Sequence, residues 1–303
     1  KINKVAVLGA GVMGAGIAAQ VANAGVPVVL LDIVPEGAED RSVIAKGAIT
    51  KMLKTSPAPL MHRRNAKSIT SGNLEDDLGL LADCDWICEA VLENVDVKHD
   101  VYKKVDAHRK EGTIVTSNTS TIPLANLLEG MPNAFATDFA VTHFFNPPRY
   151  MRLLEVVAGP KTRPDVIETL RAFGDIQLGK EVIDCKDTPG FIANRLGIFW
   201  SMVATQQAYD LGLTVEEADA IVGRPMGIPK TGIFGLMDLT GIDLKDHVLG
   251  SMASLLPDAD AFHDQFDSTH PLNALTDKMV AEGYTGRKGK GGFYRLLRND
   301  AEK

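Results

Sequence analysis

The feature that most constrains this chain is a glycine loop, Gly9-Ala10-Gly11-Val12-Met13-Gly14, set directly after the apolar run Val5-Ala6-Val7-Leu8. A continuous apolar run that breaks at glycine is the pattern of a buried parallel strand entering a tight turn. From Val12 to Ala24 small and apolar residues recur at helical spacing, Gly25 supplies a stop, and Val26 to Leu31 reads as a second buried strand. Together they form a βαβ unit, and G-x-G-x-x-G in that setting points to an anion resting on helix N-terminal amides. Gly9 permits the turn, Gly11 lets the backbone approach a pyrophosphate, and Gly14 lets helix and strand pack closely. Asp32 follows Gly14 by eighteen residues, where a carboxylate can accept hydrogen bonds from ribose hydroxyls. An acid there, followed by Ile33-Val34-Pro35 with no arginine, favours NAD over NADP. The plainer alternative has the glycines serving only a turn and Asp32 only a cap.

Beyond this unit, Glu36 to Lys54 and Pro59 to Lys67 have helical character and are split by Thr55-Ser56-Pro57, which predicts a helical hairpin. Trp86 to Val91, Thr113 to Ser117, Phe135 to Phe145, Leu153 to Val157 and Glu181 to Asp184 read as further strands, with helices between several of them. That alternation predicts a Rossmann-type doubly wound sheet over residues 1–187. After Asp187-Thr188-Pro189-Gly190 strand-like runs become rare, and amphipathic stretches such as Phe191 to Gly212 and Val215 to Val222 predict a smaller all-helical domain over residues 188–303. Turn clusters are expected at Gly223 to Pro229 and Gly235 to Gly241, a glycine-rich run at Gly286 to Gly292, and a solvated charged tail at Arg298 to Lys303.

With 45% apolar and 23% charged residues in 303, the composition is that of a soluble globular chain with room for two cores. No apolar run is long enough to span a bilayer, and Lys1 to Lys4 leads straight into a strand pattern, so neither membrane insertion nor secretion is expected. A formal charge of -7 argues against duplex nucleic acid as a partner. Cys84, Cys88 and Cys185 have no metal-ligand spacing, so no metal is expected, and a reduced, cytoplasmic compartment fits.

The candidate reaction centre begins at Val141-Thr142-His143-Phe144-Phe145-Asn146-Pro147-Pro148, which puts a histidine near the end of an apolar strand. A lone histidine is more often a satisfied core residue than a base. However, if the chain reverses around Arg149, His143 and Glu155 stand six residues to either side and face one another across an antiparallel pair. A carboxylate bonded to one ring nitrogen fixes the tautomer and strengthens the other as a general base; the alternative is a surface ion pair. Ser117-Asn118-Thr119-Ser120-Thr121 follows a strand, at the carboxyl edge where open α/β sheets bind ligands, and reads equally as a helix N-cap before Pro123.

Taken in order, GAGVMGAG at Gly9 to Gly16, SNTS at Ser117 to Ser120, HFFNP at His143 to Pro147, KDTPGFIANR at Lys186 to Arg195 and GRKGKGGFY at Gly286 to Tyr294 resemble the 3-hydroxyacyl-CoA dehydrogenase family. The resemblance implies oxidation of a 3-hydroxyacyl-CoA to a 3-ketoacyl-CoA in fatty acid β-oxidation, with NAD as cofactor. It implies His143 as general base, Glu155 as its partner, and Ser120 and Asn194 on the substrate's reacting oxygen and thioester, with Asn194 reaching the cleft from the second domain. Cofactor contacts are expected at Gly9, Gly11, Val12, Met13, Gly14, Asp32, Ile33, Ala90, Val91, Asn118 and Ser120, with Glu93 and Lys98 on the nicotinamide side and Asn146 close to the reaction centre.

The predicted hairpin resembles the family's CoA-covering segment only loosely, and Lys46, Lys51, Lys54, Arg63, Arg64 and Lys67 are candidates for the CoA phosphates or simply solvated charges. The resemblance also implies that the helical domain makes a homodimer, or that the chain is an excised piece of a longer polypeptide carrying further domains. Two rivals remain on the same scaffold: a 3-hydroxyacid dehydrogenase for free acids, and a non-enzymatic NAD-binding structural protein.

Overall fold

A computed structural model describes residues 1–228 and 230–295. The chain divides into two compact units, Lys1–Phe191 and Ile192–Lys303. Phe191, four residues past the expected boundary, stays with the first unit because its ring is buried in that unit's core. The charged tail expected at Arg298 to Lys303 lies outside the described residues, as does Pro229.

In the first unit β1 (Val5–Leu8), α1 (Val12–Asn23) and β2 (Val28–Asp32) form the opening βαβ unit. There follow α2 (Val43–Met52), β3 (Ile69–Asn73), β4 (Trp86–Glu89), α3 (Val95–His108), β5 (Ile114–Ser117), α4 (Leu124–Leu127) and α5 (Asn133–Thr137). The unit closes with β6 (Phe139–Phe144), β7 (Leu153–Ala158), α6 (Pro164–Ala172) and β8 (Glu181–Cys185). The eight strands form one sheet in the order β3-β2-β1-β4-β5-β6-β7-β8. Its first six positions follow the 3-2-1-4-5-6 order of doubly wound nucleotide-binding sheets. All pairings are parallel except β6 with β7.

Both faces of the sheet are covered, which is why β1 is apolar at every position. Val5 and Val7 pack with Ile17, Ala18 and Val21 of α1, whereas Ala6 and Leu8 pack with Val101, Tyr102 and Val105 of α3. Helix α3 starts at Asn94, whose side chain accepts the Val97 N–H, and buries Lys98, Val101, Tyr102 and Val105 on one stripe.

Three local expectations in this unit need correcting, and one in the second, where the turn cluster expected at Gly235 to Gly241 is mostly helix, Gly232–Thr240. The helical hairpin has one short arm: α2 covers Val43–Met52, and Pro59 to Lys67 contains only a 3-10 turn, Arg63–Ser68. Pro59 constrains Ala58 and has no N–H to donate. The carbonyls of Ala58 and Leu60 instead accept from the Arg149 guanidinium, which ties this segment to the turn after β6. Phe135 to Phe145 is not one strand, since Pro132 opens the turn α5 and the strand begins only at Phe139. Strand β3 has no counterpart in the sequence reading. Ile69-Thr70-Ser71-Gly72-Asn73 is mostly polar and is recruited by parallel pairing along β2 at the sheet edge.

The second unit is helical, with α7 (Ala193–Asp210), α8 (Val215–Ile221), α9 (Gly232–Thr240), α10 (Lys245–Leu255), α11 (Ala261–Gln265) and α12 (Pro271–Ala281). Helix α7 serves two cores: Trp200, Ala204 and Ala208 face one, and Ile198, Met202 and Val203 face the other. Helix α8 opens with a Thr214–Glu217 capping box. The glycine-rich run wraps Asp238, whose carboxylate accepts the N–H groups of Phe293 and Tyr294. A Cβ on Gly292 would lie 1.9 Å from that carboxylate, so only glycine passes there.

Candidate functional site

The glycine loop leaves β1 at the carboxyl edge, beside the ends of β2 and β4. Gly9 takes φ +95°, and a Cβ there would meet the Ala90 carbonyl oxygen at 2.5 Å. A Cβ on Gly14 would fall 1.8 Å from the Gly9 carbonyl oxygen, which measures how closely α1 approaches the turn. Around Gly11 there is nothing within 4 Å. Val12 and Ile33 are exposed beside this open space, while Met13 is partly buried against the core. Asp32 closes the loop: its carboxylate accepts the N–H of Ala10 at 2.5 Å and of Ile33 at 2.6 Å.

The loops after β4 and β5 meet in a second cluster. Glu93 accepts hydrogen bonds from the Thr119 hydroxyl at 2.5 Å and the Ser120 N–H at 3.1 Å, and pairs with Lys98 at 3.1 Å. Burial pushes the Glu93 carboxyl up, but the Lys98 charge and these bonds outweigh it and hold it below the usual carboxylate range. Lys98, although on a helix, is buried and also reaches Glu89 at 2.7 Å. Asn118 ties the β5 loop to the next strand, its side-chain oxygen accepting the Phe144 N–H at 2.9 Å. The Ala90 N–H donates to the Leu8 carbonyl, which sets the course of the loop carrying Val91.

The third cluster lies at the end of β6. The antiparallel register pairs His143 with Glu155, and His143 Nδ1 stands 2.8 Å from Glu155 Oε2 with both side chains buried. Phe145 and Phe191 pack against the imidazole with ring centroids 4.5 and 5.5 Å away. Because Nδ1 is committed to the carboxylate, Nε2 is the nitrogen left to exchange a proton. The turn after it, holding Asn146, is fastened by Arg149 and Tyr150, which donate to the Ala58 carbonyl, and by Lys180, which donates to the carbonyls of Pro148 and Met151.

Thus the structure brings the glycine loop, Asp32, Ala90, Val91, Glu93, Lys98, Asn118, Ser120, His143, Asn146 and Glu155 to the carboxyl edge of one sheet. Asn194 belongs to the second unit, in the first turn of α7, where it lines a mostly apolar cavity of about 410 Å³ with Ile198, Trp200, Leu236 and Leu249. The six basic residues of the α2 region are all exposed; Lys46 pairs with Asp40, and Arg63 donates to the Leu53 carbonyl.

Sequence reasoning missed Glu89, Tyr102 and Lys180. Only Glu89 left a signal, as an acid at the end of the buried run Trp86-Ile87-Cys88. Among the described residues no cluster of His, Cys, Asp and Glu could hold a metal, and no helix is long and apolar enough to cross a membrane.

Comparison with known proteins places these features in one group. Residues 4–188 match the family described as "3-hydroxyacyl-CoA dehydrogenase, NAD binding domain", and residues 190–296 match "3-hydroxyacyl-CoA dehydrogenase, C-terminal domain". The chain is 43% identical, over its full length, to a putative fatty acid oxidation complex trifunctional enzyme of Rickettsia felis, and spans 42% of that protein. A probable 3-hydroxyacyl-CoA dehydrogenase of Deinococcus radiodurans is 42% identical over 99% of this chain and 84% of its own length. The solved structure of (S)-3-hydroxybutyryl-CoA dehydrogenase from Ralstonia eutropha superposes with a TM-score of 0.74 at 28% identity, covering 98% of this chain and 100% of that one.

Proposed function

The chain belongs to the 3-hydroxyacyl-CoA dehydrogenase family, and on that premise we propose that it oxidises (S)-3-hydroxyacyl-CoA to 3-ketoacyl-CoA in fatty acid β-oxidation. One observation carries the proposal: the buried His143–Glu155 pair, 2.8 Å apart, at the same sheet edge as the glycine loop. The residues present fit a dinucleotide, with open space over Gly11 and the Asp32 carboxylate at the end of β2. Bound there, NAD supplies the hydride acceptor.

His143 Nε2 takes the hydroxyl proton of the substrate as the C3 hydrogen leaves. Glu155 holds Nδ1–H, keeps the ring in the tautomer that leaves Nε2 basic, and balances the imidazolium charge that forms. Ser120 orients the reacting oxygen, and Glu93 and Lys98 hold the nicotinamide end. Holding alcohol and acceptor together converts an encounter into a positioned transfer, an effect of up to about 7 to 11 kcal/mol in favourable cases.

The rickettsial relative carries the matching segment within a longer chain, which supports placing this unit beside further domains of one polypeptide. A homodimer is expected if the unit stands alone. A cytoplasmic location belongs to the same proposal and is supported by the buried free thiols Cys84 and Cys88.

The test is steady-state reduction of acetoacetyl-CoA and of free acetoacetate with NADH, by the parent protein and by His143→Gln. Acetoacetyl-CoA should be strongly preferred, and His143→Gln should lower turnover by ~10² or more while NADH still binds. Equal rates on the two substrates would remove the case for CoA recognition. Undiminished turnover in the variant would remove His143 as the base.

A further inference from the structure

The carboxyl edge of the sheet holds a buried acid that the reaction above does not use. Glu89 ends β4, in register with Leu8 of β1 and Ser117 of β5, and its side chain is fully buried. Four donors converge on it. Oε1 accepts from Lys98 Nζ at 2.7 Å and the Val91 N–H at 2.8 Å, and Oε2 accepts from the Tyr102 hydroxyl at 2.8 Å and the Ser117 hydroxyl at 2.7 Å. The backbone of the same residue takes part, since the Glu89 carbonyl accepts the Asn118 N–H. One carboxylate therefore ties together the loop after β4, helix α3 and the loop after β5.

Its charge has a narrower task than this packing. Lys98 lies between two acids, the buried Glu89 and the partly exposed Glu93, and Glu93 in turn holds Thr119 and Ser120. An ammonium buried with one acid would collapse onto it; with Glu89 beneath, Lys98 is held back and Glu93 keeps capacity for the loop and for a ligand. Tyr102 remains a neutral donor throughout, because burial and the Glu89 charge push its hydroxyl well above its ordinary value.

We propose that Glu89 is a positioning residue for cofactor binding, acting through Lys98 to set the place of Glu93 and Ser120. This rests on the proposed function, in which Glu93 and Lys98 serve the nicotinamide end and Ser120 the reacting oxygen.

Glu89→Gln separates charge from packing. Its amide oxygen still accepts from Lys98 and Val91, and its NH₂ faces Tyr102 and Ser117 hydroxyls that can reverse and accept. NADH binding, read by fluorescence titration on the folded variant, should weaken by about tenfold, and the melting temperature should fall as well because the buried Lys98 loses one of its two counter-charges. Cofactor KM should rise with it, while kcat at saturating NADH falls less. In a Lys98→Met background the same substitution should change NADH affinity by less than about twofold. Tyr102→Phe, which removes a donor and leaves the charge, should lower the melting temperature without moving NADH affinity.

Unchanged NADH affinity in folded Glu89→Gln, or the same loss with and without Lys98, would overturn the proposal. If Glu89→Gln fails to fold, Tyr102→Phe decides: a loss of NADH affinity there would show a packing effect and overturn it, and a loss of melting temperature alone would support it. A parent protein that does not bind NADH would overturn the proposed function itself, and with it this inference.

Discussion

At the scale of single residues, glycines of one motif do different work. Gly14 has the Gly9 carbonyl oxygen where a Cβ would stand, whereas Gly11 has nothing within 4 Å. Gly14→Ala must therefore push α1 off the turn and should destabilise the fold by about 1 to 3 kcal/mol, read as a lower denaturant midpoint. Gly11→Ala meets no protein atom and should leave stability equal or slightly raised, while the methyl fills the space a pyrophosphate needs and NADH binding falls by at least about tenfold. Titration and melting of the two variants check both halves, and equal effects on stability would contradict the assignment. This division of labour was legible in the G-x-G-x-x-G spacing, and so was the pairing of His143 with Glu155, because both depend on short-range geometry. The network around Glu89 was not, since its partners Tyr102 and Ser117 come to it through helix packing and strand order.

At the scale of elements, the turn between β6 and β7 depends on a residue far along the chain. Lys180, just ahead of β8, is buried, donates to the carbonyls of Pro148 and Met151, and lies 6.0 Å from the Phe144 ring centroid. Burial pushes its ammonium down to about 8. In the unfolded chain it titrates near 10.5, so between about pH 8 and 10.5 the unfolded state holds more protons and stability rises with pH through this group. The stability of the parent relative to Lys180→Met should therefore increase from pH 7 to pH 10, as measured by paired denaturant curves. A constant difference would show that Lys180 keeps its ordinary proton affinity. The element boundaries that sequence periodicity missed, at Pro59 to Lys67 and at β3, fall where tertiary partners take the backbone groups: Arg149 on the carbonyls of Ala58 and Leu60, and β2 along Ile69–Asn73.

At the scale of the whole molecule, each unit closes its own cores. Among the described residues, the two cores on the faces of the sheet draw on residues up to Phe191, and the two helical cores on residues beyond it. A chain ending at residue 191 should therefore melt cooperatively and bind NADH within a few-fold of the parent, as read by thermal melting and fluorescence titration. A broad, non-cooperative melt of that fragment would show that the sheet unit cannot stand by itself. The amino-acid sequence alone determined the opening βαβ unit, the glycine turn, the acid that ends the second strand, and the facing of His143 and Glu155. Each of these follows from local periodicity or from a reversal over a few residues. Only the tertiary structure decided that Glu89, Lys98 and Glu93 share one buried network, that Lys180 clamps the turn after His143, and that a polar pentapeptide is an edge strand. Those outcomes depend on which buried polar groups find partners, a condition that spans the whole sheet and leaves no periodic trace along the chain.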